Sequence, residues 1–221
     1  MNRLIKIAFT LTLGFQLHAA LPPEYESLNA EVEKLYREGS YAKAHELYTQ
    51  LRESSGLSSN EARWKWIAFR FADTQWRSQA ASQTTDTTKL DEARTQLEKL
   101  IRDVQREDEK DRVWVEVQES LGDFHWTRRN QQNWGAAWPH YQQALDWWAG
   151  ARDIELARDR YLAMVWRTAK PPGVERFYNY GQWGNYVPLE VLDNALKIVK
   201  SENDQAHAHF LIAMTVRNQG G

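Results

Sequence analysis

The sequence predicts an all-α fold in which antiparallel helical hairpins stack as a right-handed solenoid, interrupted once by an aromatic-rich loop. Three observations lead there. Apolar residues recur at three- and four-residue spacing from about residue 24 to 217, with little of the alternation a strand requires. A small residue followed four positions later by a large one recurs along the chain, as Ala44 and Tyr48, Ala93 and Leu97, and Ala137 and Tyr141. Small residues let two helices cross closely, and the large ones fill the groove alongside. Lastly, 11 Trp and 9 Tyr need burial somewhere, and the space between packed helices is where large rings fit.

The first 20 residues carry Arg3 and Lys6, an apolar run from Ile7 to Leu17, and then Ala19-Ala20, the outline of a signal peptide. The run is well short of the roughly 18 residues a membrane span needs. Cleavage after Ala19 or Ala20 would leave a mature domain over 21–221 that begins near the extended Pro22-Pro23, is exported to the periplasm or outside the cell, and has no membrane span.

The first hairpin, Glu24 to Gly56, places Leu28, Val32 and Leu35-Tyr36 on one stripe, turns at Gly39-Ser40-Tyr41, and returns with Ala44, Tyr48 and Leu51. The second opens at Ser58-Ser-Asn-Glu61, spaced as a capping box. Its first helix has two stripes, Trp64, Ile67, Ala68 and Phe71 on one side and Trp66, Phe69 and Trp76 on the other, as expected of an inner helix packed on both sides. After a Ser/Thr/Gln-rich loop, Leu90, Ala93, Leu97, Leu100, Ile101 and Val104 form its second helix. Arg106 to Arg112 mixes both charge signs and reads as a solvated turn.

The third hairpin, 112–150, is the clearest. Leu121-Gly122 is followed by Trp126, a polar turn from Arg128 to Asn133, and then Ala137, Tyr141 and Ala144. This order resembles the tetratricopeptide (TPR) repeat, a Leu-Gly pair, a large residue a turn on, then Ala-x-x-x-aromatic within roughly 34 residues. Ala44, Gly122 and Ala137 are therefore expected at close helix crossings. Asp153 can cap the next helix, whose stripe is Ile154, Ala157, Tyr161, Met164 and Val165, ended by Lys170-Pro-Pro-Gly173. Residues 174–187 then break the helical period with Phe177, Tyr178, Tyr180, Trp183 and Tyr186. Tyr178, Tyr180, Trp183 and Tyr186 are the candidate protein-contact residues, either folded over the fourth unit or presented to a partner. The helical pattern resumes with Pro188 in a first turn and Leu189, Leu192, Ala195-Leu196 and Val199. A last helix with His209, Ile212-Ala213 and Val216 falls where a repeat's first helix would lie, so the chain reads as a fragment of a longer protein whose last helix lacks its covering partner.

Chemistry is sparse. Neither G-x-S-x-G, H-E-x-x-H, G-x-x-x-x-G-K nor G-x-G-x-x-G occurs. His207 and His209 are two apart, on different helix faces, and cannot share a metal. His45, His125 and His140 read as core or groove histidines, Glu155 and Asp159 as a solvated pair, and Arg128-Arg129 as surface cations. With 28 basic and 30 acidic side chains the chain shows no footprint for nucleic acid, and with no Cys it can carry neither thiol catalysis nor disulfides. No catalytic, metal or cofactor-binding residue is expected, and no cofactor.

The runs from Phe71 to Thr88, Asp111 to Trp114, Glu119 to Phe124, Trp147 to Glu155 and Glu202 to His207 resemble the helical N-terminal region of large bacterial alpha-2-macroglobulin-like proteins. The resemblance implies an exported, non-catalytic module that contacts downstream domains of its parent. Protease inhibition would be the role of the full-length family, and proteases or envelope proteins further partners. The thioester of some members is made from a Cys and a Gln, and this chain has no Cys and no counterpart of that motif. A free-standing adaptor that binds a peptide or an envelope-assembly partner is the alternative.

Overall fold

The computed structural model describes residues 23–54, 56, 62–82, 86–128, 131–169 and 187–219. Among them the chain is all-helical, with nine α-helices and no strand. They are α1 (Pro23–Arg37), α2 (Tyr41–Ser54), α3 (Ala62–Ala81), α4 (Thr87–Ile101), α5 (Arg112–Trp126), α6 (Trp134–Ala149), α7 (Ile154–Ala169), α8 (Leu189–Ile198) and α9 (Glu202–Gln219). A short 3₁₀ turn, Glu107–Glu109, lies between α4 and α5 in the exposed charged run.

Local chemistry sets most of the boundaries. α1 stops at Gly39, whose φ of 72° is left-handed; Ser40 N–H donates to Leu35 C=O and Gly39 N–H to Tyr36 C=O, the paired bonds of a Schellman cap. Side-chain oxygens of Asp86, Asp111, Asn133 and Asp153 accept from free amides in the first turns of α4, α5, α6 and α7. Two boundaries differ from expectation. α4 ends at Ile101, and Val104 lies in the following turn with its N–H bonded to Ile101 C=O. Pro188 caps α8 from outside rather than opening its first turn, because its ψ of 145° is extended; its carbonyl accepts from Val191 and Leu192. The capping box proposed at Ser58 to Glu61 lies outside the described residues, as does the insertion from Val174 to Tyr186.

Consecutive helices pack against each other, and α3 also packs directly on α5. The buried apolar residues form three clusters that follow this order. Val32, Ala44, Tyr48, Leu51 and Ile67 join α1, α2 and α3. Phe69, Ala72, Trp76, Leu90, Ala93, Leu97, Val117 and Leu121 join α3, α4 and α5. The third runs from Trp114 and Val115 through Tyr141, Trp148, Tyr161 and Met164 to Leu192 and Leu211. α3 and α5 each contribute to two clusters, which is why α3 needs two apolar stripes.

The close crossings are where small residues stand. Ala44 and Ala137 are fully buried, and a Cβ added at Gly122 would lie 2.7 Å from two ring carbons of Tyr141. α5 carries this packing furthest, with every residue from Val113 to Phe124 buried, including Glu116, Gln118, Glu119, Ser120 and Asp123. Burying three carboxylates in one helix is tolerable only if neighbouring elements supply partners for each. α9 packs on α8, and its His207 ring stacks on Trp166 of α7 at 4.8 Å.

Candidate functional site

The partners come from α3 and α7, the two helices that flank α5 on one face. α3 carries Arg70 and Arg77 seven residues apart, and α7 carries Arg160 and Arg167 at the same spacing. Seven residues are two helical turns, so each pair lies on one stripe. Glu116, Glu119 and Asp123 stand at i, i+3 and i+7 on α5. An acidic stripe is thereby held between two basic ones.

On the α3 side, Arg77 Nε donates to Asp73 Oδ1 at 2.9 Å and its Nη2 to Asp123 Oδ2 at 2.9 Å. Ser120 of α5 donates to Asp73 Oδ1 at 2.6 Å while accepting from Trp76 Nε1 at 2.9 Å, and Tyr36 of α1 donates to Asp73 Oδ2 at 2.6 Å. On the α7 side, Arg167 Nε donates to Asp123 Oδ1 at 2.6 Å and its Nη2 to Glu119 Oε2 at 3.0 Å. Arg160 Nε donates to Glu119 Oε1 at 3.2 Å, and its Nη2 lies 3.0 Å from Glu119 Oε2 and 3.4 Å from Glu116 Oε2. Arg112 Nε completes Glu116 at 2.9 Å. From α6, Tyr141 donates to Asp123 Oδ1 at 2.7 Å and Trp148 Nε1 to Glu119 Oε1 at 2.6 Å. Toward α1, Arg70 Nη2 bonds Glu33 at 3.2 Å and its guanidinium lies 3.7 Å over the Tyr36 ring.

Electrostatics follow from this wiring. Burial works against the charge of Asp123, but Arg167 and Arg77 outweigh it and hold the carboxyl down to about 2. Burial likewise opposes the Arg77 charge, and Asp73 and Asp123 more than restore it. Burial first and Asp123 second push the Tyr141 phenol well above its usual value. Acids and cations so locked are poor proton donors or acceptors near neutral pH.

The network surrounds a cavity of about 240 Å³ lined by Tyr36, Tyr41, Asp73, Arg77, Glu119, Asp123, Arg160 and Arg167, among others. Every carboxylate oxygen of Asp73, Glu116, Glu119 and Asp123 already has a donor. Among the described residues, no acceptor meets the Nη1 groups of Arg77, Arg160 and Arg167, whose side chains are 18%, 33% and 31% exposed. The unused capacity of this cavity is therefore donor capacity.

The sequence reading did not single out these residues. Tyr178, Tyr180, Trp183 and Tyr186, its contact candidates, lie outside the described residues. His45, His125, His140 and His207 are all half-buried, and among the described residues no cluster of three or more His, Asp or Glu is placed to hold a metal. Glu155 and Asp159 are exposed, with Arg158 between them and Lys200 also on Glu155. The usable signal was in α5, where three carboxylates at i, i+3 and i+7 share a helix with Val113, Val115, Val117, Leu121 and Phe124, and Arg112 is the one Lys or Arg on that helix. Comparison with family models, curated proteins and solved structures finds no match to this chain.

Proposed function

We propose that this chain is a non-catalytic helical-repeat module, its hairpins wound as a TPR-like right-handed solenoid, whose α1–α3–α5–α7 face is a groove for a protein segment. The observation that carries this reading is the cavity between α3, α5 and α7, where every carboxylate oxygen already has a donor and, among the described residues, three arginines keep an Nη1 group without an acceptor. A segment that fits must bring acceptors. Backbone carbonyls of an extended peptide do so without adding charge to a network whose Asp73, Glu116, Glu119 and Asp123 are offset by Arg77, Arg112, Arg160 and Arg167. Tyr41 lines the same cavity, with the Arg77 guanidinium 5.7 Å from its ring centroid, and adds aromatic surface for side chains of the segment. The packing of α3 on α5, with Gly122 against Tyr141 inside the third hairpin, supports the repeat reading. The resemblance to alpha-2-macroglobulin-like proteins makes this an exported contact arm, its segment supplied by downstream domains of the parent or by an envelope or protease partner, with protease inhibition belonging to the whole protein.

The test is selection of peptides against the folded module from a random library, followed by affinity measurements on variants. Arg160→Gln and Tyr41→Ala should each weaken the selected peptides by about tenfold, the loss of one charge-assisted hydrogen bond or one aromatic contact. Peptides whose affinity ignores both substitutions would remove the groove from consideration.

A further inference from the structure

On another face of the third hairpin, residues outside the groove converge where α4, α5 and α6 meet. His125, near the end of α5, and His140 of α6 stack with centroids 6.0 Å apart and planes 8° from parallel. Arg128 follows α5, held by Nε to Phe124 C=O and Nη1 to Gln131, both at 2.6 Å, with its guanidinium 3.8 Å over the Phe124 ring. That ring meets His125 edge-on at 5.3 Å. From α4 comes Arg94, whose buried Nε makes no hydrogen bond although its Nη2 bonds Asp91 at 3.2 Å.

We propose that His125, His140, Arg94 and Arg128 form a binding site for a tetrahedral oxyanion, of the sulfate or phosphate-monoester class, whose hold on a dianion such as sulfate strengthens as pH falls. His140 Nδ1 lies 2.7 Å from Oε1 of Gln118, a residue 3% exposed whose amide donates to Gln143. The Gln118 carbonyl thus accepts a hydrogen bond from Nδ1–H and leaves His140 Nε2 as the atom that gains a proton and becomes a new donor. Among the described residues the His125 ring makes no hydrogen bond. The acids facing the cluster are Asp91, which also acts on Arg128, and Glu98, 3.9 Å from Arg94 Nε; both lie on α4, Asp91 exposed and Glu98 half-buried. Neither α5 nor α6 brings an acid into it. Burial, then His140, Arg128 and Arg94, depress His125 to about 4, so like charges are held together with no deep counter-charge. An anion relieves this repulsion, and donors arriving from three helices suit oxygens arranged as a tetrahedron. A metal ion does not fit, because nearly parallel rings aim their lone pairs side by side rather than at one point, and two guanidiniums repel it.

The experiment is a proton NMR titration of the histidine ring protons in sulfate against chloride at equal ionic strength, sulfate being a dianion throughout. Sulfate should raise the His125 midpoint by about one unit, equivalent to about tenfold tighter sulfate binding by the protonated form. Arg94→Gln and Arg128→Gln, which alter partly exposed side chains, should each remove at least about half of that rise. Competition with phenyl phosphate distinguishes the ligands: displacement of sulfate assigns the site to phosphate monoesters, and no displacement assigns it to sulfates. Identical titrations in the two salts, or a rise that survives both arginine substitutions, would overturn the proposal.

Discussion

Gly122→Ala is the smallest change that tests the packing of the third hairpin. In an exposed helix interior this substitution stabilises by about 1 kcal/mol, since alanine costs less backbone entropy than glycine. Here the new methyl would sit 2.7 Å from Cδ1 and Cε1 of Tyr141 and 3.0 Å from its Cγ. The ring cannot swing aside freely: it is fully buried, and its hydroxyl is tied to Asp123 at 2.7 Å. Overpacking of this kind costs about 1–3 kcal/mol, enough to reverse the sign. A net loss on the order of 1–2 kcal/mol is expected, or a fall of about 2–8 °C in melting midpoint for a chain of this size. Urea unfolding followed by tryptophan fluorescence and circular dichroism measures it. The diagnostic is a double-mutant cycle with Tyr141→Leu, which costs stability alone but opens the space. In that background Gly122→Ala should recover its gain of about 1 kcal/mol, giving a coupling of about 2–3 kcal/mol. Equal stabilisation by Gly122→Ala in both backgrounds would show that the two helices do not meet at this point.

Asp123→Asn leaves Arg77 and Arg167 without their shared counter-charge and should cost about 3 kcal/mol or more at neutral pH. Because the folded carboxyl is held at about 2, below its unfolded value, its contribution is present above about pH 4 and lost as pH falls toward 2; acid unfolding of Asp123→Asn should be correspondingly flatter in that window. His125 is depressed to about 4 from 6.5, so its neutral form favours folding above about pH 6.5 and that stability drains away as pH falls to about 4; His125→Gln should flatten this limb of the stability curve. If the N-terminal segment is an export signal, N-terminal sequencing of secreted protein should begin at Ala20 or Leu21, and intact Met1 in a soluble cytoplasmic pool would count against it.

The hairpins were legible because their determinants are local. Ala44 with Tyr48 and Gly122 with Ala137 and Tyr141 announce crossings through spacings a reader can count, and Asp153 announces a cap that Leu156 N–H indeed uses. The charged groove was not legible in the same way. Arg77 meets Asp123 across 46 residues and Arg167 meets Glu119 across 48, so no short window of the sequence holds both members of these pairs between helices. Only the anomaly of buried-looking carboxylates at 116, 119 and 123 hinted at them. Pro188 shows a finer limit: its fixed φ suits a first helical turn and a cap equally, and only the ψ of 145° in the fold decides between them.

The claim that the α3–α5–α7 cavity receives a protein segment through its unused arginine donors is tested most directly by NMR of the arginine side chains, with arginine-selective ¹⁵N labelling and a peptide selected against the module. Nη resonances of Arg77, Arg160 and Arg167 should shift and slow their exchange with water on saturation, while those of the exposed Arg106 stay unchanged. A saturated complex in which the three groove arginines do not respond would contradict it.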